Sequence, residues 1–207
     1  MNQINQLFDL LDKWRHFPNY QLERRVDIFF ALYLKDILWH KYQFNADAII
    51  PEFPVHRGSI YPDENDNKSV KIDYVAVDQS KKEVLLIELK TDMRSRRQTQ
   101  DDYLLKAQKL NIPGLIDGLL KIYKATRQKV KYQCLFTELE NLGWLQKTKN
   151  AYLNIGNLYK ISVIYIQPTT DSKKEIFICF EEIIELLNTM TDDLSNRFVQ
   201  SLKEWRY

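Results

Sequence analysis

The stretch VKIDYVAVDQSKKEVLLIELK, residues 70–90, decides the reading of this chain. Two largely apolar runs, Val70 to Asp78 and Glu83 to Lys90, flank Gln79-Ser80-Lys81-Lys82, a polar link short enough for a hairpin. Both runs are apolar on both faces, the pattern of strands in the middle of a sheet covered on two sides by helices. A turn centred between Ser80 and Lys81 pairs positions whose numbers have a constant sum, so Asp78 faces Glu83 and Asp73 faces Glu88. Directly opposed residues point to the same side of a sheet, and Lys90, two residues past Glu88, projects from that side too. Their neighbours on that face are Val75, Val77, Val84 and Leu86. Two carboxylates and an amine thus converge at the end of an otherwise apolar surface, where unpaired charge is costly.

Two adjacent carboxylates repel, and the usual remedies are a shared proton or a bound cation. Hard oxygen ligands unaccompanied by Cys or His favour Mg²⁺ or Mn²⁺ over zinc. An ion held this way polarises a phosphate oxygen and lowers the pKa of a bound water. The neighbouring amine then orients the attacking hydroxide and stabilises the developing negative charge. Together these roles describe phosphodiester hydrolysis.

Working toward the N-terminus, Leu22, Val26, Phe29, Phe30, Tyr33, Ile37 and Leu38 recur at helical spacing and predict a helix from about Gln21 to Lys41. A short amphipathic segment, Gln3 to Lys13, precedes it, with Pro18-Asn19 as punctuation. Ala48 to Val55, interrupted by Pro51 and Pro54, reads as an irregular edge strand, since proline cannot donate to a central ladder. A polar loop, Tyr61 to Lys68, leads into the hairpin. On the other side, Arg97 to Gln128 reads as helical with a break at Pro113-Gly114. Lys131 to Thr137 and Ile161 to Gln167 read as strands, and Glu181 to Asn188 and Asp192 to Trp205 as closing helices, the last capped by Thr191. The order is helix, three strands, helix, strand, strand, helices: an α/β or α+β sandwich.

Ile72-Asp73 followed by Glu88-Leu89-Lys90, on a hairpin within this order of elements, resembles the PD-(D/E)XK nuclease superfamily. Ile72 stands where that motif has its proline, a departure that removes no ligand. The resemblance covers about Gln21 to Gln167. It implies a restriction-endonuclease-like α-β-β-β-α-β core with a central mixed sheet flanked by helices, here with additional C-terminal helices, in a single domain spanning 1–207. It further implies a Mg²⁺- or Mn²⁺-dependent nuclease. Asp73 and Glu88, helped by the Leu89 backbone carbonyl, would be the metal ligands, with Lys90 at the water and Glu23 in the first helix as an auxiliary acid. Gln100 and Tyr103, in the helix after the lysine, become candidates to approach the site. Nucleic acid, with DNA the expected polymer, is the implied partner, and a homodimer is a form such enzymes take when both strands are cut.

Arg94, Arg96 and Arg97 follow the site directly and are candidates to hold phosphates beside it. Each of these readings has a bland counterpart. The three charged residues could be a cross-strand salt-bridge cluster. Glu23 could be an early-helix acid favoured by the macrodipole, with Asp27 one turn later able to fill the same role. The arginine run could be a solvated loop, and Gln100 and Tyr103 ordinary helix residues. Lys121, Lys124, Arg127, Lys129 and Lys131 form a second basic cluster that reads as a solvent face. Two other functions fit the same pattern: a catalytically inactive nuclease-like module for nucleic-acid binding or assembly, and metal-dependent phosphotransfer on a small molecule.

Composition narrows the field. With 207 residues, 44% apolar and 28% charged, the chain can bury a substantial core. Its formal charge of +2 does not by itself argue for nucleic acid, so the placement of charge matters more than the total. His16, His40 and His56 are isolated, and the five glycines form no phosphate-binding loop, nucleophile elbow or dinucleotide fingerprint. ATPase, hydrolase-triad and Rossmann functions therefore fall away. Cys134 and Cys179 each sit in an apolar, strand-like run and read as two buried reduced thiols. The opening MNQINQLFDLLDKW has neither a basic n-region nor an unbroken apolar core, and no apolar run reaches membrane length. A cytoplasmic protein without a membrane partner is the expectation.

Overall fold

The computed structural model describes residues 2–63, 68–170 and 176–206, so the middle of the polar loop expected from Tyr61 to Lys68 lies outside the described residues. The elements follow as α1 (Gln3–Trp14), α2 (Glu23–Tyr42), β1 (Ala48–His56), α3 (Arg57–Ile60), β2 (Ser69–Asp78), β3 (Glu83–Leu89), α4 (Gln98–Ala125), α5 (Gln133–Asn141), β4 (Leu145–Lys147), β5 (Tyr152–Asn154), β6 (Lys160–Gln167), β7 (Ile176–Cys179), α6 (Phe180–Leu187) and α7 (Asp193–Trp205). Five strands form a mixed sheet in the order β1-β2-β3-β6-β7, and β4 and β5 form a separate ribbon. β1 pairs antiparallel with β2 and β2 with β3, while β6 and β7 are parallel. The chain is thus α/β with a mixed central sheet. Its contacts divide it into two compact units, one made of Met1–Asn45, Leu89–Arg96 and Ile164–Tyr207, the other of Ala46–Glu88 and Arg97–Val163.

The second of these units contains the hairpin. β1 is the sheet edge, as its prolines require, and Glu52 between them takes a left-handed backbone conformation at φ 50°. α4 packs on β1 and β2. Its break falls at Asn111, with φ 55° and ψ −179°, and not at Pro113-Gly114. The physical reason is capping. The Asn111 side chain accepts from the Ile112 N–H at 2.8 Å and exchanges bonds with the Tyr159 backbone, so the helix restarts there. Pro113 then lies in the first turn of the new segment, where its missing N–H costs nothing.

The strand expected at Lys131 to Thr137 is absent. Lys129–Tyr132 forms a 3-10 turn and Gln133–Asn141 is α5. A short apolar run does not separate strand from helix. Here the buried residues are Phe136 and Leu139, at helical spacing, and the helix closes where Gly143 adopts φ 69° and the Trp144 N–H bonds back to the Leu139 carbonyl. On this helix Cys134 is exposed, which corrects the expectation of two buried thiols; Cys179 is buried. The sheet strand that follows α4 is β6.

In the other unit, α1 and α6 pack on α7 and α2 packs on α6. Phe8, Phe30, Phe180, Phe198 and Trp205 form an aromatic core, fully or almost fully buried. Burying Arg197 here is tolerable because Asp12, at 2.6 Å, and Asp9, at 2.8 Å, both accept from it. Asp12 also accepts from Ser201 and the Trp205 indole. α7 is capped by Asp192, which takes the Ser195 N–H at 2.9 Å, and not by Thr191. The expected buried face of α2 forms, with Val26, Phe30, Tyr33, Ile37 and Leu38 inside, while Ile28, Leu32 and Trp39 line up on the exposed side. Among the described residues no helix is long and apolar enough to cross a membrane.

Candidate active site

The hairpin register matches the one the turn predicts. Pairing runs from Asp78 with Glu83 to Tyr74 with Ile87, and the next step of that ladder sets Asp73 against Glu88. Alternation along the strands puts both carboxylates on the face of Val75, Val77, Val84 and Leu86, each no more than 1% exposed.

Glu88 itself is 1% exposed, whereas Asp73 is half-buried. A buried carboxylate needs hydrogen-bond donors, and the N-terminal part of α4 supplies two. Gln100 Nε2 donates to Glu88 Oε1 at 2.7 Å, and the Tyr103 hydroxyl lies 3.3 Å from Glu88 Oε2. Gln100 and Tyr103 are one helical turn apart and so share the face of α4 that meets the sheet. The Tyr103 hydroxyl is also 3.0 Å from the Lys71 carbonyl, which ties the helix to β2. Gln100 Oε1, by contrast, is buried and has no hydrogen-bond partner among the described residues. The positive end of the α4 dipole adds to the favourable field at the Glu88 carboxylate.

In the unit that holds it, Lys90 is 2% exposed. It donates to the Leu89 carbonyl at 3.0 Å and lies 3.5 Å from Glu23 Oε1. Its backbone N–H donates to the Ile166 carbonyl at 2.7 Å, which fixes where the side chain starts. Glu23 opens α2 and keeps its side chain 30% exposed. Asp27, the alternative acid, caps its own neighbour, accepting from the Ile28 N–H.

Arginines 94, 96 and 97 have different surroundings. Arg94 folds back on Asp92 with its side chain 92% exposed, Arg96 stacks its guanidinium 4.2 Å from the centre of the Tyr165 ring, and Arg97 is the exposed residue before α4. Burial alone would raise the Asp92 carboxyl, but the Arg94 N–H and guanidinium, with Arg15 nearby, hold it below the usual carboxylate range. Sequence reasoning did not anticipate two contacts, the Lys71 carbonyl at Tyr103 and the Tyr165 ring under Arg96. The first uses a backbone carbonyl, which any residue type would offer, and both join residues far apart in the chain, so neither leaves a local signal.

The structure therefore brings Gln100 and Tyr103 to Glu88, pairs β2 with β3 in the register that, continued by one step beyond Tyr74 and Ile87, sets Asp73 against Glu88, and brings Glu23 and the Leu89 carbonyl to Lys90. Among the described residues, no three His, Cys, Asp or Glu side chains form a group that could hold a metal ion. Compared with protein-family models, with curated proteins and with solved structures, the chain matches none.

Proposed function

We propose that the protein is a metal-dependent nuclease that hydrolyses phosphodiester bonds, with DNA the expected polymer. The observation that carries this reading is the Glu88 carboxylate, buried at the end of an apolar sheet face, opposed in register to a second carboxylate, and followed two residues later by a buried lysine. Asp73 and Glu88, with the Leu89 carbonyl, are the groups that would hold Mg²⁺ or Mn²⁺. The donor chemistry suits such an ion: all the atoms are hard oxygens, and Mg²⁺ commonly takes one or two carboxylates while keeping several waters. The buried, unpartnered Gln100 Oε1 beside Glu88 is an acceptor that one of those waters would satisfy.

When bound, the ion supplies Lewis-acid polarisation of a phosphoryl oxygen and acidifies water. The rest falls to the chain. Gln100 fixes the Glu88 rotamer by donating to Oε1, and the Tyr103 hydroxyl, whose one proton is shared with the Lys71 carbonyl, meets Oε2. Lys90, anchored through the Leu89 carbonyl, orients the attacking water and offsets the negative charge that develops on the phosphorus oxygens. Glu23 steadies that ammonium and remains available as an auxiliary ligand. The exposed Arg94 and Arg97 side chains are each candidates for phosphate contacts.

The test is incubation of plasmid and single-stranded substrates with Mg²⁺, Mn²⁺ or EDTA, using native protein, Asp73→Asn and Glu88→Gln. Cutting should require metal and both carboxylates, and cleavage in EDTA or by either variant refutes the assignment. A non-catalytic nucleic-acid-binding or assembly module is the second reading, favoured by the lack of a three-ligand group among the described residues. It predicts metal-independent binding and no cutting.

A further inference from the structure

At the end of α4 opposite to Gln100 and Tyr103, the second unit has a cavity of about 420 Å³. Tyr123 and Lys124 of α4, Lys129 of the 3-10 turn, and Lys147, Lys149 and Tyr152 of the β4–β5 hairpin line it, and none of its described lining residues is acidic. The sequence alone reads Lys121, Lys124, Arg127, Lys129 and Lys131 as a solvated face, and Lys147 and Lys149 are distant from them in the chain. Folding makes it concave. Tyr123 meets Tyr152 edge-on at 5.8 Å, and Phe136 packs against both at 4.6 Å, so the helix end and the hairpin are pinned together. The hairpin turn is itself closed: the Thr148 N–H and hydroxyl both donate to the Ala151 carbonyl, at 2.8 Å and 2.7 Å, which fixes Lys147 and Lys149 on either side. Lys129 sits 4.5 Å above the centre of the Tyr123 ring.

Residues 121–149 hold seven lysines and arginines against two glutamates, in a chain whose formal net charge is only +2. Among the described residues none of the four pocket lysines has an ion-pair partner, and all four are exposed. Gln133, Thr148 and Asn150 add polar side chains to the same wall. Lysine tips interspersed with amide and hydroxyl donors are the groups that contact phosphate and sugar oxygens. A protein partner fits poorly, because interface cores are depleted in lysine and are organised around apolar anchors.

We propose that this pocket binds the phosphate backbone of a nucleic-acid strand, without regard to base sequence and without metal. The site goes beyond the nuclease reading, since it needs neither Asp73 nor Glu88. Fluorescence anisotropy of labelled DNA and RNA oligonucleotides, in EDTA and across a salt series, tests it. Native protein should bind, with log affinity falling linearly in log salt. The variant K124A/K129A/K147A/K149A should bind at least about tenfold more weakly and lose about 3 to 3.5 from the magnitude of the salt slope, at roughly 0.7 to 0.9 per phosphate contact. The control K13A/K35A, which removes two exposed lysines of the other unit, should bind like native protein. Circular dichroism establishes that each variant is folded. Unchanged affinity and slope in the quadruple variant overturn the proposal, and so does a native protein that binds polyglutamate while ignoring oligonucleotides. Binding in EDTA by a protein that never cuts supports this site and sinks the nuclease reading. Cutting by a quadruple variant whose binding is undiminished does the reverse.

Discussion

Replacing Gln100 by Leu separates the two tasks assigned to its amide. The substitution keeps the approximate volume and removes both polar atoms. On one side it deletes the 2.7 Å bond to Glu88, and a hydrogen bond to a charged group contributes about 1.5 to 3 kcal/mol. On the other it removes a buried oxygen that has no partner, and leaving such an atom unsatisfied costs about 1 to 3 kcal/mol. The two effects oppose each other, so in EDTA the variant should unfold in urea with a stability within about 1 kcal/mol of native protein. With metal the balance changes, because the variant lacks both the donor that holds Glu88 and the acceptor offered to a coordinated water. Groups that orient metal ligands typically account for about tenfold to hundredfold in affinity, and calorimetric titration with Mn²⁺ should show a loss of that size. A variant that is several kcal/mol less stable in EDTA would show that the amide oxygen is satisfied in the metal-free protein. Native Mn²⁺ affinity in the variant would show that Gln100 does not support the ion site, and either result breaks the reasoning.

Other consequences are checked more simply. Lys90→Met should lower single-turnover cleavage by at least about 100-fold while leaving Mn²⁺ affinity near native, because the lysine acts on developing charge and Glu23, 30% exposed, can rehydrate; cleavage at the native rate counts against its role. Asp192→Ala should cost about 1 kcal/mol through loss of the α7 cap. The Ser195 hydroxyl and N–H hold the Asp192 carboxyl below its usual range. Its contribution is therefore complete above the unfolded-state pKa and disappears as pH falls through the lower folded value, so urea midpoints of native and variant protein should converge on the acid limb. Iodoacetamide should label native protein at the exposed Cys134 and spare Cys179, whose thiol is buried and pushed up by desolvation. Labelling that persists in folded Cys134→Ser would contradict that burial.

The residues 70–90 determined a great deal by themselves. Strand pairing across a short turn is arithmetic: once the turn is placed, the side-chain period of two dictates that Asp73 and Glu88 share a face, and the structure has the register that this arithmetic requires. The wide apolar stripe of α2 was equally legible, since seven positions at helical spacing leave little choice. Where the local pattern was short, long-range packing decided. Residues 131–137 suit strand or helix alone, and the burial of Phe136 against Tyr123 and Tyr152 selects the helix that exposes Cys134. Similarly, Pro113 signals a break near it, but the exact residue was chosen by Asn111, whose side chain reaches the distant Tyr159 backbone. The same distinction applies to function. Sequence supplied the carboxylates and the lysine; only tertiary structure aimed Gln100 and Tyr103 at Glu88 and gathered lysines from three elements around one cavity. A periodic pattern reports which way a side chain points along its own element, whereas a meeting between elements depends on packing that no local window contains.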